Sequence, residues 1–213
     1  MALTTYAGLQ EAIAGWLARD DLTVRIPDFI VLAEAKFNRM VFHRKMETRT
    51  TLTVDTLAAD PEFLTLPSDF QTMRTVRMAG VLGKPRLEFL TQTQMDDYRY
   101  CRDDIAGQPL YFSIVDDQME LAPTPGQDYD VEVLYRANLP PLASNDTNWL
   151  LTIAPDLYLY GALLEAAPYM QNDGRIAVWA SAVGTCLDQL NSLSDRQSFD
   201  SGPTTIRLPG VNP

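Results

Sequence analysis

The sixteen residues from Pro155 to Met170 are the feature that most limits how this chain can fold. They carry only two charges, Asp156 and Glu165, and their leucines and tyrosines leave no polar face wide enough to meet water. A helix that is apolar nearly all round is a buried helix, whereas a membrane span needs about 20 apolar residues without acids. The stretch therefore predicts a core helix that begins at Pro155 and is limited by Pro168.

Three more segments repeat apolar residues at helical spacing, which predicts amphipathic helices. They are residues 4–19, residues 26–45 and the stretch from just after Asp173 to about Ser194. A threonine at position 4 or 5 can cap the first of them. The second opens on a proline followed by an aspartate, as the core helix does.

Between the second helix and the core helix, the apolar period changes from about 3.6 to 2, which indicates strands. The segments TRTTLTVD, PLYFSIV, QMELAP and DVEVLYR carry this alternation. Asp116 and Asp117 predict a hairpin turn, and residues 91–102 predict one short helix.

We therefore expect an α+β protein. Residues 1–48 and 145–195 are predicted to form a helical domain that resembles a four-helix bundle. Residues 49–144 form an antiparallel β-rich insertion, and residues 196–213 form an extended C-terminal arm. Prolines and glycines prevent the arm from continuing the last helix, yet its TTIRL run is apolar enough to dock on a surface.

Charge is distributed unevenly along the chain. The net charge is −11, which argues against a general nucleic-acid binder. The stretch from Asp96 to Glu132 holds ten acids against two arginines, whereas Lys36 to Arg49 holds five basic residues against one acid. The molecule is therefore expected to have one acidic region and one basic region.

The two cysteines, Cys101 and Cys186, have no metal-binding spacing and are expected to be free thiols in a reducing compartment. The N-terminal residues lack a basic region followed by a long apolar run, so no signal peptide is expected. These features predict a protein made in the cytoplasm, soluble and without a membrane partner.

The sequence contains no recognisable catalytic motif of the nucleotide-binding, serine-hydrolase or zinc-protease type. His43, the single histidine, is expected at the surface or in a capping role. Three acidic pairs could supply a glycosidase site or Mg²⁺ or Ca²⁺ ligands, but solvated acids are the favoured interpretation. The pairs are Asp96 with Asp97, Asp103 with Asp104, and Asp116 with Asp117.

Glu165 is an acid inside an apolar helix, and a buried carboxylate needs a partner. Arg39, Arg44 and Arg175 are the candidates for a structural ion pair. Tyr158, Tyr160 and Trp179 are expected in the core and not in a ligand cage. We predict no enzyme activity, no cofactor and no metal.

Five segments, taken in order over residues 3–193, resemble the head–tail adaptor (connector) proteins of tailed phages, the type of short-tailed phages that includes tail tubular protein A. They are IPDFIVLAEAKFNRM with RKMETRTTLTV, LTLPSDFQTMRTVRM, GQPLYFSIVDDQMELAPTPGQDYDVEVLYRANLPPL and TNWLLTIAPDLYLYGALLEAAPYMQND. No single segment is a chemical motif, so the resemblance depends on the ordered set. The Asp116–Asp117 turn departs from the glycine-containing turn expected there.

The resemblance implies a structural virion protein of the neck or tail. Such adaptors form a ring of typically twelve copies beneath the portal, extend the DNA channel and present a surface for tail or nozzle proteins. DNA passes through such a channel without specific binding, and the three acidic pairs are candidates for the channel lining or rim, where they would repel phosphate.

The arm would dock on the portal or on a neighbouring subunit, for example by adding a strand to a sheet edge. Its candidate contact residues are Phe199, Thr204, Thr205, Ile206, Arg207 and Leu208. The alternatives that remain open are a stopper or tail-tube protein, a peptidoglycan hydrolase that uses an acidic pair, and a cytoplasmic binding module.

Overall fold

The computed structural model of the chain describes residues 3–102, 105–170 and 174–199, apart from the side chains of Asp20 and residues 197–199. In this part of the chain, six α-helices and two β-sheets form a mixed fold, which confirms the predicted α+β class. The chain divides into two compact units. A helical unit is drawn from Met1–Lys45 and Leu139–Pro213, and a β unit is drawn from Met46–Asn138.

The elements follow one another in a helix, strand, helix order. The α-helices are α1 (Tyr6–Leu17), α2 (Ile26–Met40), α3 (Gln92–Arg102), α4 (Trp149–Ile153), α5 (Pro155–Glu165) and α6 (Arg175–Phe199). The strands are β1 (Glu47–Thr53), β2 (Phe63–Thr65), β3 (Phe70–Ala79), β4 (Glu88–Phe89), β5 (Tyr111–Val115), β6 (Gln118–Ala122) and β7 (Asp130–Ala137). Short 3₁₀ turns occupy Asp20–Arg25, Arg44–Met46 and Ala167–Tyr169.

Helix α5 contacts every other helix of the helical unit, namely α1, α2, α4 and α6. Its Leu157, Tyr158 and Leu163 are fully buried, as expected for a helix that is apolar nearly all round. The helix is shorter than predicted, because it ends at Glu165 and the chain continues as a 3₁₀ turn. Pro168 explains this end, since it lacks the N–H that the helix needs and its ring clashes with the preceding turn.

Helix α2 also ends early, at Met40 and not near residue 45. Val41 N still donates to the helical carbonyl of Phe37 at 2.9 Å, but two N–H groups beyond it donate to side chains. Phe42 N donates to Asn191 Oδ1 at 2.8 Å, and Arg44 N donates to Ser194 Oγ at 3.0 Å. Because both acceptors lie on α6, helix packing decides where α2 stops.

The helical unit differs from the four predicted helices in two further respects. A fifth helix, α4, lies just before the core helix, where no helix was predicted, and Asn148 caps it by accepting a hydrogen bond from Leu151 N at 2.8 Å. Helix α6 continues to Phe199, past the predicted end near Ser194 and into the first residues of the predicted arm.

The β unit consists of two sheets that share one core. The first sheet has the antiparallel order β1-β7-β3, and the second has the order β2-β6-β5-β4. Their inner faces pack buried side chains against one another, among them Val76, Val133, Phe112, Met119 and Leu121. The pair β4–β5 is parallel, which departs from the predicted antiparallel arrangement.

The predicted hairpin turn is present between β5 and β6, with Val115 paired to Gln118. Asp116 adopts a left-handed backbone with φ of 56°, a conformation that aspartate tolerates better than most residues. The turn therefore forms without the glycine expected from the adaptor resemblance.

Candidate interaction surfaces

A groove runs along the helical unit where α2, α5 and α6 meet. Gly161 allows α5 and α2 to approach each other closely, because a Cβ at this position would lie 2.5 Å from Cζ of Phe37 on α2. The groove encloses about 340 Å³ and is lined mainly by apolar side chains and glycines. Its lining includes Ala33, Phe37, Met40, Leu164, Val183, Gly184 and Leu187.

The predicted ion-pair residue Glu165 lies at this groove. Its side chain is 13% exposed, and its Oε1 pairs with Nζ of Lys36 on α2. The partner is therefore a lysine and not Arg39, Arg44 or Arg175. Arg175 instead donates to the backbone O of Trp16 at 3.1 Å and lies over the ring of Trp179.

A second buried carboxylate, Glu34 on α2, was not anticipated from the sequence. Its Oε1 accepts hydrogen bonds from Leu142 N at 2.9 Å and from the Tyr158 hydroxyl at 3.2 Å. Burial raises the pKa of Glu34, and the two hydrogen bonds oppose that rise. Its position carried a usable signal, because Ile30, Ala33, Glu34 and Phe37 follow the helical apolar spacing.

The acidic pairs do not form one site in the described part of the chain. Asp96 and Asp97 are exposed on α3, and Asp116 and Asp117 are exposed at the β5–β6 turn. Asp103 and Asp104 lie outside the described residues. Among the residues that the structure describes, no group of three or more histidine, cysteine or acidic side chains is placed to hold a metal ion.

Glu120, another acid of the same run, is buried within the β unit. Its Oε1 pairs with Arg99 Nε at 3.0 Å, and its Oε2 accepts from Gln92 Nε2 at 3.0 Å. Both partners lie on α3, so these bonds hold α3 over the outer face of the second sheet. Tyr98 of α3 also packs edge-on against Tyr111 of β5.

His43 is buried and not at the surface as expected. Its ring stacks on Trp149 with centroids 5.1 Å apart, and its Nδ1 accepts a hydrogen bond from Lys45 N at 3.1 Å. Burial lowers the pKa of His43, and the charges of Arg44 and Lys45 lower it further. A neutral imidazole that accepts a backbone N–H has a structural role here.

The candidate contact residues of the arm lie largely outside the described residues. Phe199 is the last residue of α6, and its side chain is not among those described. Thr204, Thr205, Ile206, Arg207 and Leu208 fall beyond it. Before that point, α6 exposes apolar side chains, with Val178 65% and Leu193 48% accessible. None of the helices in the described ranges is both long and apolar enough to cross a membrane.

Comparison with known proteins identifies one family. The family model described as SU10 adaptor protein matches residues 4–207, which include every helix and strand named above. No curated protein matches the chain. The match agrees with the adaptor resemblance of the sequence but gives no support to the narrower likeness to tail tubular protein A.

Proposed function

The chain belongs to the SU10 adaptor protein family, and from this membership we propose that it is a structural head–tail adaptor of a tailed-phage virion. The protein acts as a non-enzymatic connector. Twelve copies form a ring beneath the portal, extend the DNA channel and offer an attachment surface to tail or nozzle proteins. The family match over residues 4–207 is the observation that carries this proposal.

Exposed apolar surface on the helical unit supports a protein that assembles. Val31 and Leu32 of α2 are 50% and 51% accessible, and Phe42 just beyond α2 is 58% accessible. Apolar surface that remains exposed in an isolated chain is typical of interaction sites when it is contiguous. Val178 and Leu193 of α6 are also exposed.

Mass measurement of the protein mixed with portal rings of the same phage tests the proposal. A complex that carries twelve copies per portal is expected at micromolar concentration, even where the free protein is monomeric, because the portal drives assembly by mass action. The absence of any portal complex at these concentrations would contradict the proposal. Binding to a tail-tube ring and not to the portal would instead favour a stopper or tail-tube protein.

The exposed hairpin acids Asp116 and Asp117 are proposed to lie at the channel lining or the distal rim. Carboxylates at that position repel DNA phosphate, so DNA slides and does not adhere. A structure of the assembled ring tests this placement. Acids that lie on the outer circumference would exclude it.

The residues beyond α6 are proposed to dock on the portal or on a neighbouring subunit. Deletion of residues 200–213 leaves α6 intact as far as Phe199 and removes the TTIRL run. Sedimentation with portal rings is then expected to show weaker binding. Unchanged affinity of a folded, truncated protein would leave these residues no role in attachment.

A further inference from the structure

The solvent-facing side of the first sheet collects arginines in a unit that is otherwise acidic. The β unit contains sixteen acidic and eight basic residues, for a net charge of −8. Four of the eight basic residues lie on or beside this one face and form what we call the arginine face. They are Arg49 on β1, Arg74 and Arg77 on β3, and Arg86, which pairs with Arg77 through a backbone bridge.

Strand pairing brings these side chains together from distant parts of the chain. Arg49 lies opposite Leu134 and Arg77 opposite Glu132, both on the central strand β7. Arg49 and Arg77 are exposed, while the side chain of Glu132 between them is 19% exposed. Three of the four arginines therefore lie on strands of one sheet, and the fourth, Arg86, is joined to β3 by a backbone bridge.

The acids on the same face form ion pairs with two of the four arginines, Arg49 and Arg74. Glu132 Oε1 lies 3.7 Å from Arg49 Nη1, and Glu47 Oε1 lies 3.4 Å from Arg74 Nη2. Arg77 and Arg86 form no ion pair with a carboxylate in the described part of the chain, although they sit directly opposite each other. Like charges directly opposite across a ladder are destabilising, so this pair is suited to anionic groups from outside the chain.

A neighbouring arginine shows how crowded the positive charge is. Arg136 of β7 is buried beneath the face, opposite Glu47 in the strand register. Burial lowers the pKa of Arg136, and the charge of Arg74 lowers it further. An added carboxylate would therefore relieve repulsion at this face.

The opposite side of the β unit presents carboxylates. Helix α3 covers the outer face of the second sheet, whereas the arginine face is the outer face of the first sheet. Its Asp96 and Asp97 are exposed, and Asp96 Oδ1 accepts a 3.2 Å hydrogen bond from Gln92 Nε2 of the same helix. We call these two residues the α3 acids.

We propose that the arginine face of one copy of this chain binds the α3 acids of the next copy. Two complementary surfaces on opposite sides of one unit make a head-to-tail contact, and contacts of this type form a ring when the rotation between successive copies closes. The proposal rests on the ring assembly proposed above and specifies which surfaces join the subunits.

One observation favours a protein carboxylate over DNA phosphate as the occupant. Glu47 and Glu132 lie among the arginines, and they would repel a continuous phosphate backbone while leaving room for discrete carboxylates. The planar fork of arginine binds either anion through two hydrogen bonds, so the choice between the two anions depends on the glutamates. In this contact, the carboxylates of the α3 acids would be buried beside arginines. Each buried carboxylate then has a cation as its partner, which avoids the penalty of an unpaired buried charge.

Charge reversal on each face tests the proposal. The first variant carries Arg77→Glu with Arg86→Glu, and the second carries Asp96→Arg with Asp97→Arg. The yield of complete rings on the portal is expected to be at least about tenfold lower for each variant alone than for the wild type. The reason is that like charges then meet at every contact. An equimolar mixture of the two variants is expected to restore rings, since alternating copies again present opposite charges at every contact.

Controls keep this test separate from the proposed function. Arg39→Glu with Arg196→Glu changes the same number of charges on exposed residues of the helical unit and is expected to assemble as the wild type does. Circular dichroism and unfolding midpoints check that each variant folds. Arg77→Gln with Arg86→Gln serves as a milder pair, and added salt is expected to weaken wild-type ring closure.

The outcomes are distinct. A wild-type protein that forms no portal complex contradicts the proposed function. Rings from either reversed variant alone, or a mixture that is not restored, would overturn the interface while the function stands. Binding of duplex DNA by the wild type that is lost in the arginine variant, with ring assembly unchanged, would assign the face to DNA and overturn the proposal.

Discussion

The helical unit and the β unit each bury one glutamate to the same extent, yet they satisfy it differently. Glu34 and Glu120 are both 6% exposed. Glu34 accepts hydrogen bonds from a backbone N–H and a tyrosine hydroxyl, and no lysine or arginine pairs with it in the described ranges. Glu120 pairs with Arg99 and also accepts from Gln92. Neutral donors and a partly buried cation are thus two solutions to the same desolvation problem.

The two glutamates are expected to respond differently to the loss of a partner and to a change of pH. A carboxylate that depends on a cation becomes an unpaired buried charge when the cation is removed, which is strongly destabilising. A carboxylate that depends on neutral donors already has a raised pKa, so its contribution to stability changes with pH. The predictions below test this difference.

The largest effect is expected for Arg99→Met, which removes the cation beside Glu120. The variant is expected to lose about 3–5 kcal/mol of unfolding free energy, because Glu120 is left buried without its cation. Urea unfolding measures the loss. Arg102→Met on the same helix is the matched control, since Arg102 is exposed and lies over the ring of Tyr98, and it should lose less than about 1 kcal/mol. Equal losses in the two variants would contradict a special role for the Arg99–Glu120 pair.

A smaller loss is expected for Gly161→Ala at the centre of the helical unit. The new Cβ would lie 2.5 Å from Cζ of the buried Phe37 ring, which packs edge-on against Tyr158. We expect a loss of about 1–3 kcal/mol from overpacking. Gly184→Ala on α6 meets nothing within 4 Å and should gain up to about 1 kcal/mol of helix propensity. Thermal unfolding of both variants checks the opposite signs.

A pH-dependent effect is expected for Glu34→Gln. The folded-state pKa of Glu34 lies above its ordinary value of 4.5. The protonated Glu34 carboxyl therefore contributes fully to folding stability below pH 4.5, and this contribution is lost as pH rises through the folded-state pKa. Glutamine keeps the acceptor oxygen without the charge. The variant should therefore exceed the wild type by about 1 kcal/mol at pH 7 and by less at pH 4. Urea unfolding at both values measures the gap, and a gap that is wider at pH 4 would reverse the assigned sign.

The smallest effect concerns the two thiols, one in each unit. Cys186 lies 3.1 Å from Asp156 Oδ2, and burial followed by this carboxylate raises its pKa to about 11. Cys101 is exposed on α3. Iodoacetamide at pH 8 should therefore modify Cys101 at least about tenfold faster than Cys186, because the thiolate is the reactive form. Mass spectrometry of the digested protein identifies the labelled residue, and equal rates would contradict the raised pKa.

Local features of the sequence predicted much of the secondary structure. The apolar spacing of residues 4–19 located α1, and Thr5 caps it by accepting from Gly8 N at 3.2 Å. The alternation of DVEVLYR located β7, and Asp116 with Asp117 located the β5–β6 turn. These signals succeed because helix and strand periods and turn conformations are decided by residues a few positions apart.

The ends of elements and the charge partners depended on residues far away in the chain. Helix α2 stops where α6 supplies Asn191 and Ser194 as acceptors, about 150 positions later. Glu165 pairs with Lys36 and not with an arginine, because only packing decides which cation of α2 reaches α5. The burial of Glu34 was visible in its helical spacing, but its donors, Leu142 and Tyr158, could not be named from the sequence.

By itself, the sequence determined the mixed α+β class, the positions of most helices and strands, and the resemblance to phage adaptors that the family match supports. Each of these follows from local periodicity or from an ordered set of segments. Only the tertiary structure decided that Arg49, Arg77 and Arg86 share one face and that Glu120 is buried under α3. Strand pairing and helix packing join residues that are distant in sequence, and no local pattern in the chain records which of them will meet.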